Sequence, residues 1–77
     1  MRVRVGSKYV FNPVPLDEFD SRSKATLGEV VRVINLPGAP KANVMGHCHI
    51  ESLDGTFLGM VLTNSLVPVP KGYQNVK

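Results

Sequence analysis

The chain has 77 residues, of which 43% are hydrophobic and 19% are charged, and its formal net charge is +3. A chain of this length forms one domain with a single small core. It leaves little material for the pocket of roughly 300 Å³ or more that a typical ligand or active site occupies. Composition therefore disfavours catalysis and favours a binding role.

The single cysteine, Cys48, excludes an intramolecular disulfide, although small secreted domains commonly depend on disulfides. Residues 1–6 lack the apolar core of a signal peptide. The longest apolar run, residues 58–62, is far shorter than the roughly 20 residues of a membrane helix. We therefore expect a protein of the reducing cytoplasm with no membrane contact.

Six prolines and seven glycines interrupt the chain too often for long helices. Runs rich in Val, Ile, Leu and Phe lie between them, which predicts an all-β fold of five short strands. The predicted strands are residues 8–11, 29–35, 44–52, 56–62 and 66–69. A long loop is expected at residues 12–26, and one 3₁₀ turn at 63–65. Residues 1–70 are predicted to form the domain and 71–77 a flexible tail.

Asp54 and Gly55 predict a type I′ hairpin turn, whose two central residues need positive φ. Pairing across that turn puts one apolar set on the core side. This set is Cys48, Ile50, Phe57, Gly59 and Val61. The opposite side then mixes polar and apolar residues, which is typical of a binding surface. These residues are His47, His49, Glu51, Leu58, Met60 and Leu62.

Two segments resemble a Src-homology-3 (SH3) domain. One has the family's glycine–acidic–aliphatic strand, and the other has its closing glycine, 3₁₀ turn and final strand. They are Gly28-Glu29-Val30-Val31-Arg32-Val33 and Leu58-Gly59-Met60-Val61-Leu62-Thr63-Asn64-Ser65-Leu66-Val67-Pro68. The resemblance covers nearly the whole chain and implies a five-stranded SH3-like small barrel.

The SH3 peptide groove is not matched. The chain has no tryptophan, and Leu62 and Ser65 stand where the groove proline and tyrosine would be. Proline-rich peptides need an aromatic-lined groove. The acidic residues of the long loop match the family's loop only in character. The resemblance therefore implies the fold without its proline-rich ligand.

Part of the chain is also similar to small proteins encoded by bacterial phages and other mobile elements. The likeness lies in Tyr9-Val10-Phe11-Asn12-Pro13, Phe19-Asp20-Ser21-Arg22 and Val33-Ile34-Asn35. It covers about half the chain. It implies a compact accessory protein of the bacterial host cytosol that inhibits or redirects a host factor.

Two groups of residues could carry chemistry. His47, His49 and Glu51 alternate along one strand and could bind a transition metal. We favour a polar stripe of contact residues, because no fourth ligand is nearby, and we predict no cofactor. Cys48 could be a nucleophile, but a buried core cysteine is favoured because the histidines lie across the sheet.

The leading hypothesis is a non-catalytic protein-binding module whose partner is another protein or a second copy of the chain, held through the third and fourth strands. Leu58, Met60 and Leu62 have two interpretations, either a second small core with Tyr9, Phe11 or the long loop, or an exposed patch. The predicted contact residues are His47, His49, Glu51, Leu58, Met60, Leu62, Phe19, Asp17 and Glu18.

The alternative is nucleic-acid binding, suggested by the sequence pI of about 9.4 and by the many small barrels that bind RNA or DNA. The candidate contacts are Arg2, Arg4, Lys8 and Arg32. Lysine and arginine are spread along the chain, which is also typical of a solvated surface.

Overall fold

The structure is a computed structural model that describes residues 3–13, 18–36 and 46–77, with the side chains of Glu18 and Phe19 excepted. The elements are β1 (Lys8–Phe11), α1 (Glu18–Arg22), β2 (Val30–Asn35), β3 (His47–Ser52), β4 (Phe57–Leu62), a 3₁₀ turn (Thr63–Ser65) and β5 (Leu66–Pro68). Within the described residues, the five strands form one antiparallel sheet of order β4-β3-β2-β1-β5. The all-β prediction is confirmed at this level.

Most predicted strand ends lie within one residue of the observed ends. The expected start of β3 at Val44 lies outside the described residues. The predicted loop at residues 12–26 contains the five-residue helix α1, which the sequence did not predict. A helix of five residues is too short to show a helical repeat of apolar positions, so its sequence carries no signal.

Residues from all five strands share one core. Its members are Val3, Tyr9, Phe11, Val31, Val33, Cys48, Ile50, Leu58, Val61 and Leu66. In a flat sheet, β4 and β5 would lie about 19 Å apart, at four strand spacings. Because only the three-residue 3₁₀ turn joins Leu62 of β4 to Leu66 of β5, these strand ends lie at most about 14 Å apart, and the sheet is curled. Its order pairs β4 only with β3 and β5 only with β1, so among the described residues no ladder closes it into a barrel.

The β3–β4 hairpin turns one residue earlier than predicted. The Gly55 N–H donates to Ser52 O at 3.0 Å, and the Ser52 N–H donates to Thr56 O at 2.8 Å. Leu53, Asp54 and Gly55 therefore form a three-residue loop, and Gly55 has a φ of +92°. This is the geometry of a hairpin loop that ends in a left-handed glycine. The predicted two-residue type I′ turn is wrong.

This longer loop changes which side chains face the core. The predicted pairs His47–Leu62 and His49–Met60 are present, but the register shifts after Ile50, so that Glu51 pairs with Phe57. A shift of one residue reverses the two faces of a strand. Phe57, predicted inside, is 55% exposed, and Leu58, predicted outside, is 6% exposed.

Both edges of the sheet are blocked against further strand pairing at specific positions. Along β4, the Lys24 N–H donates to Leu58 O at 2.7 Å. Along β5, the Leu66 N–H is bonded to Thr63 O, and Pro68 has no N–H to offer. Proline and covering segments are common protections of edge strands. Strand addition by a partner is therefore disfavoured at both edges.

A buried carboxylate fastens the segment that covers β4. Asp20 is 2% exposed. Its Oδ1 accepts the Leu62 N–H at 3.2 Å, and its Oδ2 accepts the Ser65 hydroxyl at 2.7 Å. Asp20 thus joins α1 to the end of β4 and to the 3₁₀ turn, the corner where the chain passes to β5.

The C-terminal tail contacts the start of β2. The Tyr73 hydroxyl donates to Gly28 O at 2.5 Å, and the Val30 N–H donates to Asn75 Oδ1 at 3.0 Å. A Cβ at Gly28 would lie 3.1 Å from the Tyr73 hydroxyl, so the close approach favours glycine there. The flexibility expected of residues 71–77 stays a prediction.

We expect Asp20→Ala to lower the free energy of unfolding by about 2–4 kcal/mol, because it leaves two buried donors without their charged acceptor. Asp20→Asn keeps one oxygen and should cost less. Urea denaturation followed by circular dichroism measures both. Equal stability of Asp20→Ala and the wild type would contradict a stabilising role for the hydrogen bonds that the Asp20 carboxylate accepts.

The shifted register predicts opposite effects for two neighbours. Leu58→Ala should destabilise the domain by about 2–4 kcal/mol, because it opens a cavity in the core. Phe57→Ala should cost less than about 0.5 kcal/mol, since the ring is mostly solvated. Thermal and urea unfolding of the two variants compare them directly. A larger loss of stability for Phe57→Ala than for Leu58→Ala would contradict the shifted register.

Candidate functional site

The side of the sheet opposite the core carries a continuous row of side chains. Lys8 pairs with Arg32, Arg32 with Glu51, and Glu51 with Phe57, so the row crosses β1, β2, β3 and β4. Cross-strand partners share a face. We call this surface the outer face. Its members are Lys8, Arg32, His47, His49, Glu51, Phe57 and Met60.

An aromatic contact occupies the β4 end of the outer face. The rings of His49 and Phe57 lie 5.8 Å apart between centroids and are tilted by 55°. Tilted pairs at this distance are favourable for aromatic rings. Met60 pairs with His49 across the strands and is half-buried. The imidazole thus contacts the Phe57 ring, which remains 55% exposed.

An ion pair lies beside this aromatic contact. Arg32 Nη1 and Glu51 Oε2 are 3.1 Å apart, and the two side chains are 31% and 22% exposed. A pair this exposed contributes about 1 kcal/mol or less to stability. Its larger effect is on the surface charge, because each group offsets the other. Lys8, at the end of the row, is exposed and forms no ion pair with the residues that the structure describes.

The structure does not bring all the predicted contact residues together. Leu58 packs in the core and Leu62 is also buried, so neither is part of an exposed patch. Leu58 belongs to the core that all five strands share, and not to a second small core. Met60 remains on the outer face. Asp17 lies outside the described residues, as do the side chains of Glu18 and Phe19.

His47 and His49 are the candidate metal ligands on the outer face. Among the described residues, no group of three or more His, Cys, Asp or Glu side chains is placed to hold a metal ion. Residues two apart on one face of a strand lie ~6.5–7 Å apart, so an ion shared by His47 and His49 would need further ligands from neighbouring segments. Glu51 is also engaged by Arg32. The described geometry therefore favours the polar-stripe interpretation.

Of the residues named for nucleic-acid binding, Arg2 lies outside the described part of the chain. Arg4 and Lys8 are exposed, and Arg32 is paired with Glu51. A carboxylate therefore stands next to one of the three described candidates, which weakens its attraction for phosphate.

A half-open cleft of ≈480 Å³ lies apart from the outer face, between the hairpin loop and the tail. It is lined by Glu29, Ser52, Leu53, Asp54, Thr56, Leu58, Asn75 and Lys77. Two of these residues, Glu29 and Asp54, are carboxylates that accept hydrogen bonds from nearby residues of the chain. Glu29 Oε1 accepts the Thr26 N–H at 3.0 Å, and Asp54 accepts the Thr56 N–H at 3.0 Å and the Ser52 hydroxyl. These bonds hold the local turns of the chain.

Phe57 is the outer-face residue that the sequence prediction missed. A signal for it was present, because serine at the first position of a turn and glycine at the fourth favour a type I turn. Ser52 and Gly55 occupy those positions. Reading the turn in that way lengthens the loop and places Phe57 outside.

Cys48 is fully buried, and burial raises the pKa of its thiol to about 11, with a smaller contribution from the charge of Asp20. A nucleophilic cysteine needs a lowered pKa and access to solvent. The core interpretation of Cys48 is therefore the one that the environment supports.

The raised pKa of Cys48 predicts a loss of stability in alkali. Below its ordinary value of 9.0, the thiol is protonated in both states; between there and about 11, only the unfolded chain releases the proton. Unfolding is then favoured as pH rises, by on the order of 2 kcal/mol at the upper end. Urea denaturation from about pH 8 to about pH 10.5 measures the decline.

Cys48→Ala is the matched control. All other side chains are the same in the two proteins, so their contributions to the pH dependence cancel in the difference. The variant should decline less steeply with pH than the wild type. Parallel curves would contradict a buried, protonated thiol.

The helix in the described part of the chain, α1, has five residues. No helix among the described residues has the length and apolar character needed to cross a membrane. Comparisons of the chain with models of protein families, with curated proteins and with solved structures found no match.

Proposed function

We propose that this chain is a non-catalytic protein-binding module and that the outer face is its contact surface. The observation that carries the proposal is the exposed Phe57 ring, which contacts His49, the cross-strand partner of Met60. An exposed aromatic ring that shares a face with a half-buried methionine and an arginine matches the composition of the centre of many protein interfaces. A ring held by its neighbours also loses little conformational freedom when a partner covers it.

The edges of the sheet support a face-on mode of binding. A partner that adds a strand needs free N–H and C=O groups along an edge. At one edge the backbone N–H of Lys24 already donates to the carbonyl of Leu58, and at the other Pro68 has no N–H. The outer face has no such obstruction at Phe57, so contact through side chains is the favoured mode.

The chemistry of the polar groups supports a role without catalysis. Cys48 is buried with a raised pKa. Asp20 and Glu29 are buried and accept hydrogen bonds from the protein itself. An activated nucleophile or a general acid needs access to substrate and a fitting pKa. These groups instead maintain the fold.

We also propose that the curled sheet is an SH3-like small barrel. The order β4-β3-β2-β1-β5 and the 3₁₀ turn between β4 and β5 support this assignment, as does the core that both edge strands share. Leu62 and Ser65, at the positions of the groove proline and tyrosine, are buried. Their burial supports a contact surface other than the proline-peptide groove. The inhibitory accessory role implied by the phage likeness stays a prediction.

We expect Phe57→Asp and Met60→Asp to abolish partner capture while the domain stays folded, because both place a charge in the apolar part of the contact. Immobilised wild type and variants are compared in pull-downs from the native host's lysate, and recovered proteins are identified by mass spectrometry. Circular dichroism checks the fold of each bait.

Leu27→Asp is the matched control, since Leu27 is 65% exposed but lies in the turn before β2, away from the outer face. Capture of the same protein by the wild type and Leu27→Asp, but not by the outer-face variants, supports the proposal. Identical capture by all four baits contradicts it, and so does a recovered pool that consists of nucleic acid alone.

A further inference from the structure

We infer that the outer face binds an acidic polypeptide segment, with carboxylates of the partner over Lys8 and an apolar side chain over Phe57 and Met60. This inference rests on the proposed function and adds the chemistry of the partner. It depends on three observations: where the carboxylates of this chain lie, the order of side chains along the row, and the position of Glu51 within that row.

The fold uses carboxylates internally and leaves a basic surface. Of the six Asp and Glu residues in the chain, Asp20 and Glu29 are each only 2% exposed. Among the described side chains, the remaining carboxylates are Glu51, which is paired with Arg32, and Asp54, which is bonded within its own hairpin. The described cations that are at least partly exposed are Arg4, Lys8, Arg22, Lys24, Arg32, Lys71 and Lys77. A surface of this sign attracts an acidic partner and repels a basic one.

The row gives the spacing that the partner must match. Measured along the sheet, Lys8 and Phe57 are separated by three strand spacings, about 14 Å. An extended segment advances about 3.3 Å per residue. Its carboxylates should therefore lie roughly four residues from its apolar anchor. The cationic end and the aromatic end of the row thus select an acidic group and an apolar group at a set separation.

Glu51 favours a polypeptide over a nucleic acid. It lies between Arg32 and Phe57 in the row. A phosphate backbone that followed the row would pass directly over this carboxylate, and like charges in contact are unfavourable. A polypeptide can place an uncharged residue there. The order cation, carboxylate, aromatic therefore fits a chain whose charges are confined to one end.

The test uses two synthetic peptides and nuclear magnetic resonance titration of the ¹⁵N-labelled domain. The first peptide carries four glutamates, a two-residue glycine–serine spacer, and then phenylalanine and leucine. The second replaces the glutamates with lysines. We expect the acidic peptide to bind at least about fivefold more tightly, with amide shifts concentrated on Lys8, Arg32, His49 and Phe57.

Charge variants locate the acidic contact. Lys8→Glu should weaken binding of the acidic peptide by about fivefold, since it reverses a charge at the cationic end. Lys71→Glu makes the same change in net charge, but in the tail, outside the strand rows, and should change affinity less than about twofold. Phe57→Ala should weaken both peptides.

Three outcomes overturn the inference: equal affinity for the two peptides, equal effects of Lys8→Glu and Lys71→Glu, or tighter binding of a single-stranded oligonucleotide through the same residues. The proposed function can survive the first two. If Phe57→Asp abolishes capture in the pull-down while Lys8→Glu leaves it unchanged, the outer face is the contact surface and its partner is not acidic.

Discussion

The carboxylate of Asp20 fixes the corner on which the rest of the fold depends. It accepts hydrogen bonds from the end of β4 and from Ser65 in the 3₁₀ turn. That corner directs the chain into β5 and brings Leu66 into the core that β4 also lines. The same residue holds the segment that covers the edge of β4. A domain of 77 residues buries only about 60% of its unfolded surface, so one buried anchor of this kind has a large influence.

Anchoring the corner also determines where a partner can bind. The segment after α1 covers the edge of β4, and Pro68 in β5 lacks the N–H that a further strand would need. In the described part of the sheet, the outer face is therefore the surface left for contact with a partner. The three-residue hairpin loop then decides what that face presents. By shifting the register after Ile50, it buries Leu58 and exposes Phe57 beside His49. The site is therefore a product of turn geometry as much as of strand sequence.

Sequence alone predicted the parts of this arrangement that repeat every two residues. The inward positions Cys48 and Ile50 and the pair His49–Met60 follow from alternation along a strand, which the backbone imposes. Alternation could not predict the register shift after Ile50, because that shift depends on whether the loop holds two residues or three. In the sequence, nothing distinguishes Asp20 from the other acidic residues of the predicted loop. Its partners are 42 and 45 residues away in the chain, and no local pattern indicates contacts of that range.

The placement of the acidic residues also changes what the basic pI means. A sequence pI of about 9.4 is equally compatible with nucleic-acid binding and with an acidic protein partner. Burial of Asp20 and Glu29 makes the surface more basic than the composition indicates, which alone would favour either polyanion. The position of Glu51 distinguishes them, because it interrupts the cationic row just before the aromatic ring. The uniformly charged backbone of a nucleic acid is repelled by Glu51 at that point. A polypeptide with separate acidic and apolar ends meets a complementary surface along the whole row.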